Sequence, residues 1–166
     1  MAGLAHMGVG LAAKRAAPQI PVAVLLIGAY VIDIIWGVFY FAGVEQYPGA
    51  SINSAAPWSH GLFMSVIWSV GAALMARLIS RSTSTGVIFG ILVFSHWVVD
   101  FIAKPMSFAF PSDSGMPLLF NGSPEVGLGL YSSQAGVNIG EYGTLALGFV
   151  IYIFTVLKLR KEKKSL

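Results

Sequence analysis

Four stretches of this chain are each long and apolar enough to cross a lipid bilayer, and that leaves few folds open. A helical span needs about 20 mostly apolar residues to cover a ~30 Å hydrocarbon core. Residues 21–44, 56–76, 86–103 and 137–157 qualify, the third with least to spare. In lipid every backbone N–H and C=O must be satisfied within the segment, so such spans are helical. The expected fold is therefore an all-α integral membrane protein, a single membrane domain built as a four-transmembrane-helix bundle. Composition agrees with this. The chain is 56% hydrophobic and only 10% charged, against about a quarter charged in a soluble domain. Without cysteine it has neither a disulfide framework nor a thiolate metal site. The first apolar stretch does not fit a signal peptide, being too long, bearing Asp33 and lacking a clear small-residue cleavage site.

The basic residues orient the bundle. Lys14 and Arg15 precede the first span, Arg77 and Arg81 join the second to the third, and Lys158, Arg160, Lys161, Lys163 and Lys164 follow the fourth. Lys104 alone falls on the other side. The positive-inside rule makes the crowded side cytoplasmic, with both termini there. The net charge of +3 reflects this topology and points to no nucleic-acid partner.

Residues 1–13 are apolar but too short to span, which suits a short interfacial helix or a half-helix dipping into the membrane. Segment 45–55, with Pro48-Gly49, reads as an outer loop, and 158–166 as a basic cytoplasmic tail. The long outer loop 104–136 carries four prolines together with Phe108, Phe110, Phe120 and Tyr131. A loop of this length in a compact protein is usually functional. Its aromatic content predicts a folded cap over the helix ends.

Each span also carries ligand-type side chains. Asp33 lies in the first, His60 near the start of the second, His96 and Asp100 in the third, and Glu141 in the fourth. An ionised carboxylate in mid-bilayer costs roughly 2.5–3.5 kcal/mol on insertion scales. No Lys or Arg within the spans can offset that cost. At about 1.5 Å rise per residue, Asp33 stands about 21 Å from Gln19 and Asp100 about 21 Å from Gly86. His60 stands roughly 26 Å from Arg77, and Glu141 roughly 26 Å from Lys158. The four spans thus bring these groups to comparable depth, where a bound divalent cation would serve the acids best. His96 and Asp100, at i and i+4, share a helix face. Alone, such a pair can equally well be two groups hydrogen-bonded to each other. His6 reaches the layer only if the N-terminal segment re-enters the membrane. The candidate metal ligands are therefore His60, His96, Asp100, Asp33 and His6, with Glu141 and Asp33 as candidate catalytic carboxylates.

In these residues the chain resembles the small bacterial membrane-bound metal-dependent hydrolases of the YdjM-like group. The resemblance rests on His6 in an apolar N-terminal segment, Asp33 in the next span, the His60 of Pro57-Trp-Ser-His60, and His96 with Asp100 in Ser95-His-Trp-Val-Val-Asp100. It covers most of the chain, including the turn-rich stretch 123–133. The group is distantly similar to zinc-dependent phospholipase C, which implies an all-helical, metal-assisted phosphoester hydrolase in the bacterial inner membrane. Zn²⁺ would be the expected ion, and a lipid headgroup or small phosphoester the substrate. The chain departs from the common pattern in having a single Asp in Asp33-Ile-Ile-Trp and a single His near His60.

Three functions remain open from the sequence. One is the metal-dependent hydrolase, with Glu141 or another free carboxylate as general base. Another is a proton- or metal-conducting transporter subunit, which would require a homo-oligomer. The last is a non-catalytic membrane interaction protein whose polar cluster only knits helices together. The orientation is directly testable. Reporter fusions at Ser80 and at the C-terminus are expected in the cytoplasm, and fusions near Ser51 and Ser114 outside. A cytoplasmic Ser114 fusion would reverse the assignment.

Overall fold

The computed structural model describes residues 3–45 and 56–165. It contains the four helices expected from hydropathy and one shorter helix. These are α1 (Gly3–Ala12), α2 (Val22–Phe41), α3 (Leu62–Ser80), α4 (Thr83–Ala103) and α5 (Gln134–Lys164). The last four are long and apolar enough to cross a membrane, with mean hydropathy from 1.7 to 2.3. The turn expected at Pro48-Gly49 lies outside the described residues.

The helix limits depart from the hydropathy limits for local reasons. α2 stops at Phe41 because Gly43, at φ +73°, takes the left-handed conformation that ends a helix. The Gly43 N–H donates to Tyr40 O at 3.1 Å and the Val44 N–H to Phe39 O at 2.9 Å, a Schellman closure. α3 starts at Leu62, six residues later than the apolar run. Ala56–Gly61 form a turn instead, with the His60 N–H donating to Ala56 O. α4 starts at Thr83, ahead of the apolar run, because the Ser82 side chain accepts the Thr85 N–H and caps it. α5 absorbs most of the expected basic tail, since its lysines and glutamate are good helix formers and the helix reaches Lys164.

The segment between α4 and α5 is folded onto one end of the helices, called here the cap end. Strands β1 (Met116–Pro117) and β2 (Glu125–Val126) pair antiparallel. The Leu128 and Gly129 N–H groups donate to Phe101 O and Lys104 O at the end of α4, at 2.8 and 2.7 Å. Leu118 O accepts the Phe63 N–H, satisfying an otherwise orphaned donor at the start of α3. Phe120 packs its ring against Trp58 and Phe63. The opposite end carries Lys14, Arg15, Arg77, Arg81 and the basic end of α5.

Helix α1 is the element that hydropathy could not assign. It is a half-helix of 10 residues packed against α2, α4 and α5, with Ala5, His6, Gly8 and Gly10 buried. α5 joins the rest of the bundle chiefly through α1, and α4 bridges α2 to α3. The α1–α5 contact is backbone on backbone. A Cβ on Gly8 would stand 2.3 Å from Thr144 O, and one on Gly148 only 2.0 Å from Gly8 O. Small residues permit such close approach between helices in lipid, where dispersion replaces the hydrophobic effect as the main attraction.

Gly8→Ala and Gly148→Ala are each expected to destabilise the protein by about 1–3 kcal/mol through overpacking. Gly37→Ala and Gly71→Ala, where an added Cβ meets nothing within 4 Å, should leave the melting temperature unchanged or slightly raised. Thermal unfolding in detergent separates the two pairs, and equal melting of all four would refute the backbone contact.

Candidate metal centre

Five side chains from four segments meet between two apolar layers. His6 comes from α1, Asp33 from α2, His60 from the turn before α3, and His96 and Asp100 from α4. Ala29 and Leu92 pack with Leu25 and Ile20 on the basic side. On the cap side Ala103, Met106 and Tyr131 pack with Ala5. Along α2 and α4 three or four residues, about one turn, separate Ala29, Leu92 and Ala103 from Asp33, His96 and Asp100, so they share a face with them.

The donor atoms converge. His6 Nε2 lies 3.2 Å from Asp100 Oδ1. His60 Nε2 lies 3.3 Å from Asp33 Oδ1 and 3.7 Å from Asp100 Oδ2. His96 Nε2 lies 3.6 Å from Asp33 Oδ1 and 3.8 Å from Asp100 Oδ2. All five of these separations exceed the usual ~2.9 Å of an N–H···O hydrogen bond. They resemble the edges of a ligand polyhedron, since bonds of ~2.0–2.1 Å place tetrahedral ligand atoms about 3.3–3.4 Å apart. Two triads have mutually close donor atoms, His6 with His96 and Asp100, and Asp33 with His60 and His96, each within 4.8 Å. They share His96.

Proton placement on two histidines sharpens this geometry. His96 Nδ1 lies 2.9 Å from Ala29 O, and a carbonyl only accepts, so Nδ1 carries the hydrogen. Neutral His96 then turns the Nε2 lone pair toward the two carboxylates, and this buried nitrogen has no hydrogen-bond partner among the described residues. The Ser59 hydroxyl gives its one hydrogen to Glu45 Oε2 at 2.7 Å, so His60 Nδ1–H must donate to Ser59 Oγ at 2.8 Å. His60 Nε2 likewise faces carboxylate oxygens with a lone pair. Lone pairs opposing carboxylates in a low-dielectric interior repel unless a cation lies between them. Protonating both His60 and His96 would be the other remedy. However, those two rings stand edge-on with centroids 5.3 Å apart, and two imidazolium charges at that distance repel. The group could therefore hold a divalent ion.

Access is uneven. The Asp33 side chain is 21% exposed, whereas those of His60, His6, Asp100 and His96 are at 9% or less. Asp33 is thus the least covered side chain of the centre.

All the expected ligands, His6, Asp33, His60, His96 and Asp100, are brought together, and His6 joins because its segment does re-enter the bundle. One expectation needs correction. His60 lies in a turn before its span and not within the helix. Glu141 is not among the grouped donor atoms; its Oε2 accepts the N–H groups of Leu4 and Ala5, next to His6, at 2.7 and 3.0 Å. It caps the N-terminus of α1, accepting two of the first amides that the helix itself leaves without partners. A π-helical turn at Ile139–Gly143 within α5 aims the carboxylate there. Burial first, and then the adjacent Glu141 carboxylate, push the Tyr131 hydroxyl above the ordinary tyrosine range, so it remains a donor to Glu141. The Tyr30 hydroxyl donates to Gly3 O. With its carboxylate engaged in this way, Glu141 sets the height of α1, and with it His6.

Sequence reasoning missed Glu45 and Ser59. The available signals were Ala42-Gly43 closing α2 just before Glu45, and the adjacency of Ser59 to His60. Comparison of the chain with protein-family models, curated proteins and solved structures returned no match.

Glu141→Ala should cost about 1–3 kcal/mol, as expected when a hydrogen-bonded charged acceptor is removed and buried donors are left unpaired. Its effect on metal affinity should be non-additive with His6→Ala, because Glu141 acts on the centre through the placement of His6. Additive losses in a double-mutant cycle would separate Glu141 from His6.

Proposed function

We propose that this protein is a membrane-embedded metal-dependent hydrolase of phosphoesters, of the kind a lipid headgroup presents, with Zn²⁺ as its ion. The observation that carries this reading is the pair of imidazole Nε2 atoms, on His60 and His96, held with lone pairs facing the oxygens of Asp33 and Asp100. Among the described residues, the ion pairs of those two carboxylates are all to histidines. A divalent ion would make the pair of carboxylates electrically neutral. Imidazole and carboxylate donors without thiolate suit Zn²⁺ in an open, catalytic type of site.

The roles follow from exposure and packing. His6, His96 and Asp100 are the most deeply buried and would fix the ion's position. His60 and Asp33 would complete the set from the accessible side. Bound there, the ion supplies Lewis acidity toward a phosphoryl oxygen and acidifies water. Asp33, the least covered of the set, is the carboxylate able to orient a water molecule and take up its proton. The apolar layers around the cluster exclude bulk water and strengthen every electrostatic interaction inside it. By the positive-inside rule the cap end faces away from the cytoplasm, so substrate would arrive from the extracytoplasmic leaflet of a bacterial inner membrane.

Purified protein in detergent is expected to retain Zn²⁺ and to hydrolyse a chromogenic phosphodiester. Chelation should lower its melting temperature, in line with about 2.7 kcal/mol of ligand stabilisation at a hundredfold excess over Kd. His96→Ala and Asp100→Asn should each reduce metal content and hydrolysis together. A wild type that never holds metal would end the hydrolase reading and leave the cluster as a protonated network. Tight metal binding without hydrolysis, together with metal flux in proteoliposomes, would favour transport.

A further inference from the structure

His60 is the one cluster residue not carried by a helix, yet its ring is held from behind. The chain of contacts runs from Glu45 Oε2, which accepts the Ser59 hydroxyl at 2.7 Å, to Ser59 Oγ, which accepts His60 Nδ1–H at 2.8 Å. Glu45 Oε1 also accepts the N–H groups of Trp58 and Ser59, at 2.7 and 3.0 Å. All three side chains are buried. Glu45 follows α2, the helix that carries Asp33, and the Gly43 closure turns the chain there. The same carboxylate therefore ties the end of α2 to the turn that bears His60, across the 3.3 Å approach of His60 to Asp33.

We infer that Glu45 and Ser59 are positioning residues that lock the His60 ring with hydrogen on Nδ1 and the Nε2 lone pair on the centre. The inference rests on the metal-centre reading for its consequence, but not for its geometry. A buried carboxylate is costly unless its oxygens are well used. Anchoring the turn engages one oxygen. The other is spent on a hydroxyl whose remaining contact is the imidazole, which serves the ring and not the backbone. Outer partners of this type orient metal-binding histidines and raise their basicity, and losing them costs roughly 10–100-fold in metal affinity. His96 obtains the same service from Ala29 O, a helix carbonyl. His60, standing in a turn, needs side chains to supply it.

The sharpest test is Glu45→Gln. The two backbone N–H groups still require an acceptor, so the amide oxygen takes the place of Oε1. The amide NH₂ then faces Ser59 Oγ and donates to it. The hydroxyl must turn and donate to His60 Nδ1, which moves the ring hydrogen to Nε2. The chain has three histidines, so ¹⁵N-histidine NMR of the full-length protein in detergent, freed of metal, can follow each ring. Wild type should show His60 as the Nδ1–H tautomer. Glu45→Gln should convert it to Nε2–H while His96 stays unchanged, and Zn²⁺ titration should show affinity reduced roughly 10–100-fold. Ser59→Ala, which removes the link but keeps the Glu45 clamp on the turn, should give mixed His60 tautomers and a similar loss. If His60 keeps the Nδ1–H signature in both variants, the inference is overturned, whatever happens to stability. If wild type binds no Zn²⁺ but the tautomer still inverts, the positioning role stands and the hydrolase reading falls.

Discussion

Two carboxylates, Asp33 and Asp100, lie within helices that the bilayer must surround, and much of the structure answers to that constraint. Each charge would be prohibitive in hydrocarbon, and no Lys or Arg approaches within ion-pair distance among the described residues. Instead, three histidines converge from three different segments, stacked or edge-on to one another. The apolar clusters on either side keep the polar layer thin. That concentration of donors could hold a cation. Interhelical hydrogen bonds in membranes contribute only about 0.6 kcal/mol on average and need no shared focus.

The same physics governs the ends of helices buried among other helices. The first amides of α1 have no partner within their own helix, and Glu141 accepts two of them. Placing an anion at a helix N-terminus is favourable, and the aligned peptide dipoles in turn stabilise the carboxylate. A π-helical turn in α5 and two tyrosines complete the arrangement. The half-helix is thus both the carrier of His6 and the wedge through which α5 joins the bundle. Packing and the candidate chemistry share one element. A change that displaces α1 therefore disturbs both.

Much of the site was legible from residue type and spacing alone. His96 and Asp100 fall one helical turn apart, and that spacing settles their common face wherever the helix begins. Asp33 lies mid-span and announces itself by its cost. His60 was legible as a participant but not as a turn residue, because Ala56, Pro57 and Trp58 extend the apolar run past the true helix start at Leu62. The converse occurred at α4, where the polar run Ser82-Thr-Ser-Thr85 hid three helical residues from a hydropathy window. Glu141 was correctly flagged as an intramembrane acid with a partner to find. Hydropathy supplies no information on an amide donor from another helix, so its partners, the Leu4 and Ala5 amides, were not legible.

By itself the sequence determined that this chain forms membrane-length helices, how many there are, and which polar side chains must be satisfied inside them. Those properties depend on local composition and on the period of the helix. Only the tertiary structure decided that residues 3–12 enter the bundle, that α5 reaches the rest through a contact between Gly8 and Gly148, and that Glu45 and Ser59 stand behind His60. Each of these is a contact between residues far apart in the chain or across a turn. Such contacts are selected by whether two backbones can approach and whether a buried donor meets an acceptor. No single segment carries that information, because its physical cause lies in the partner.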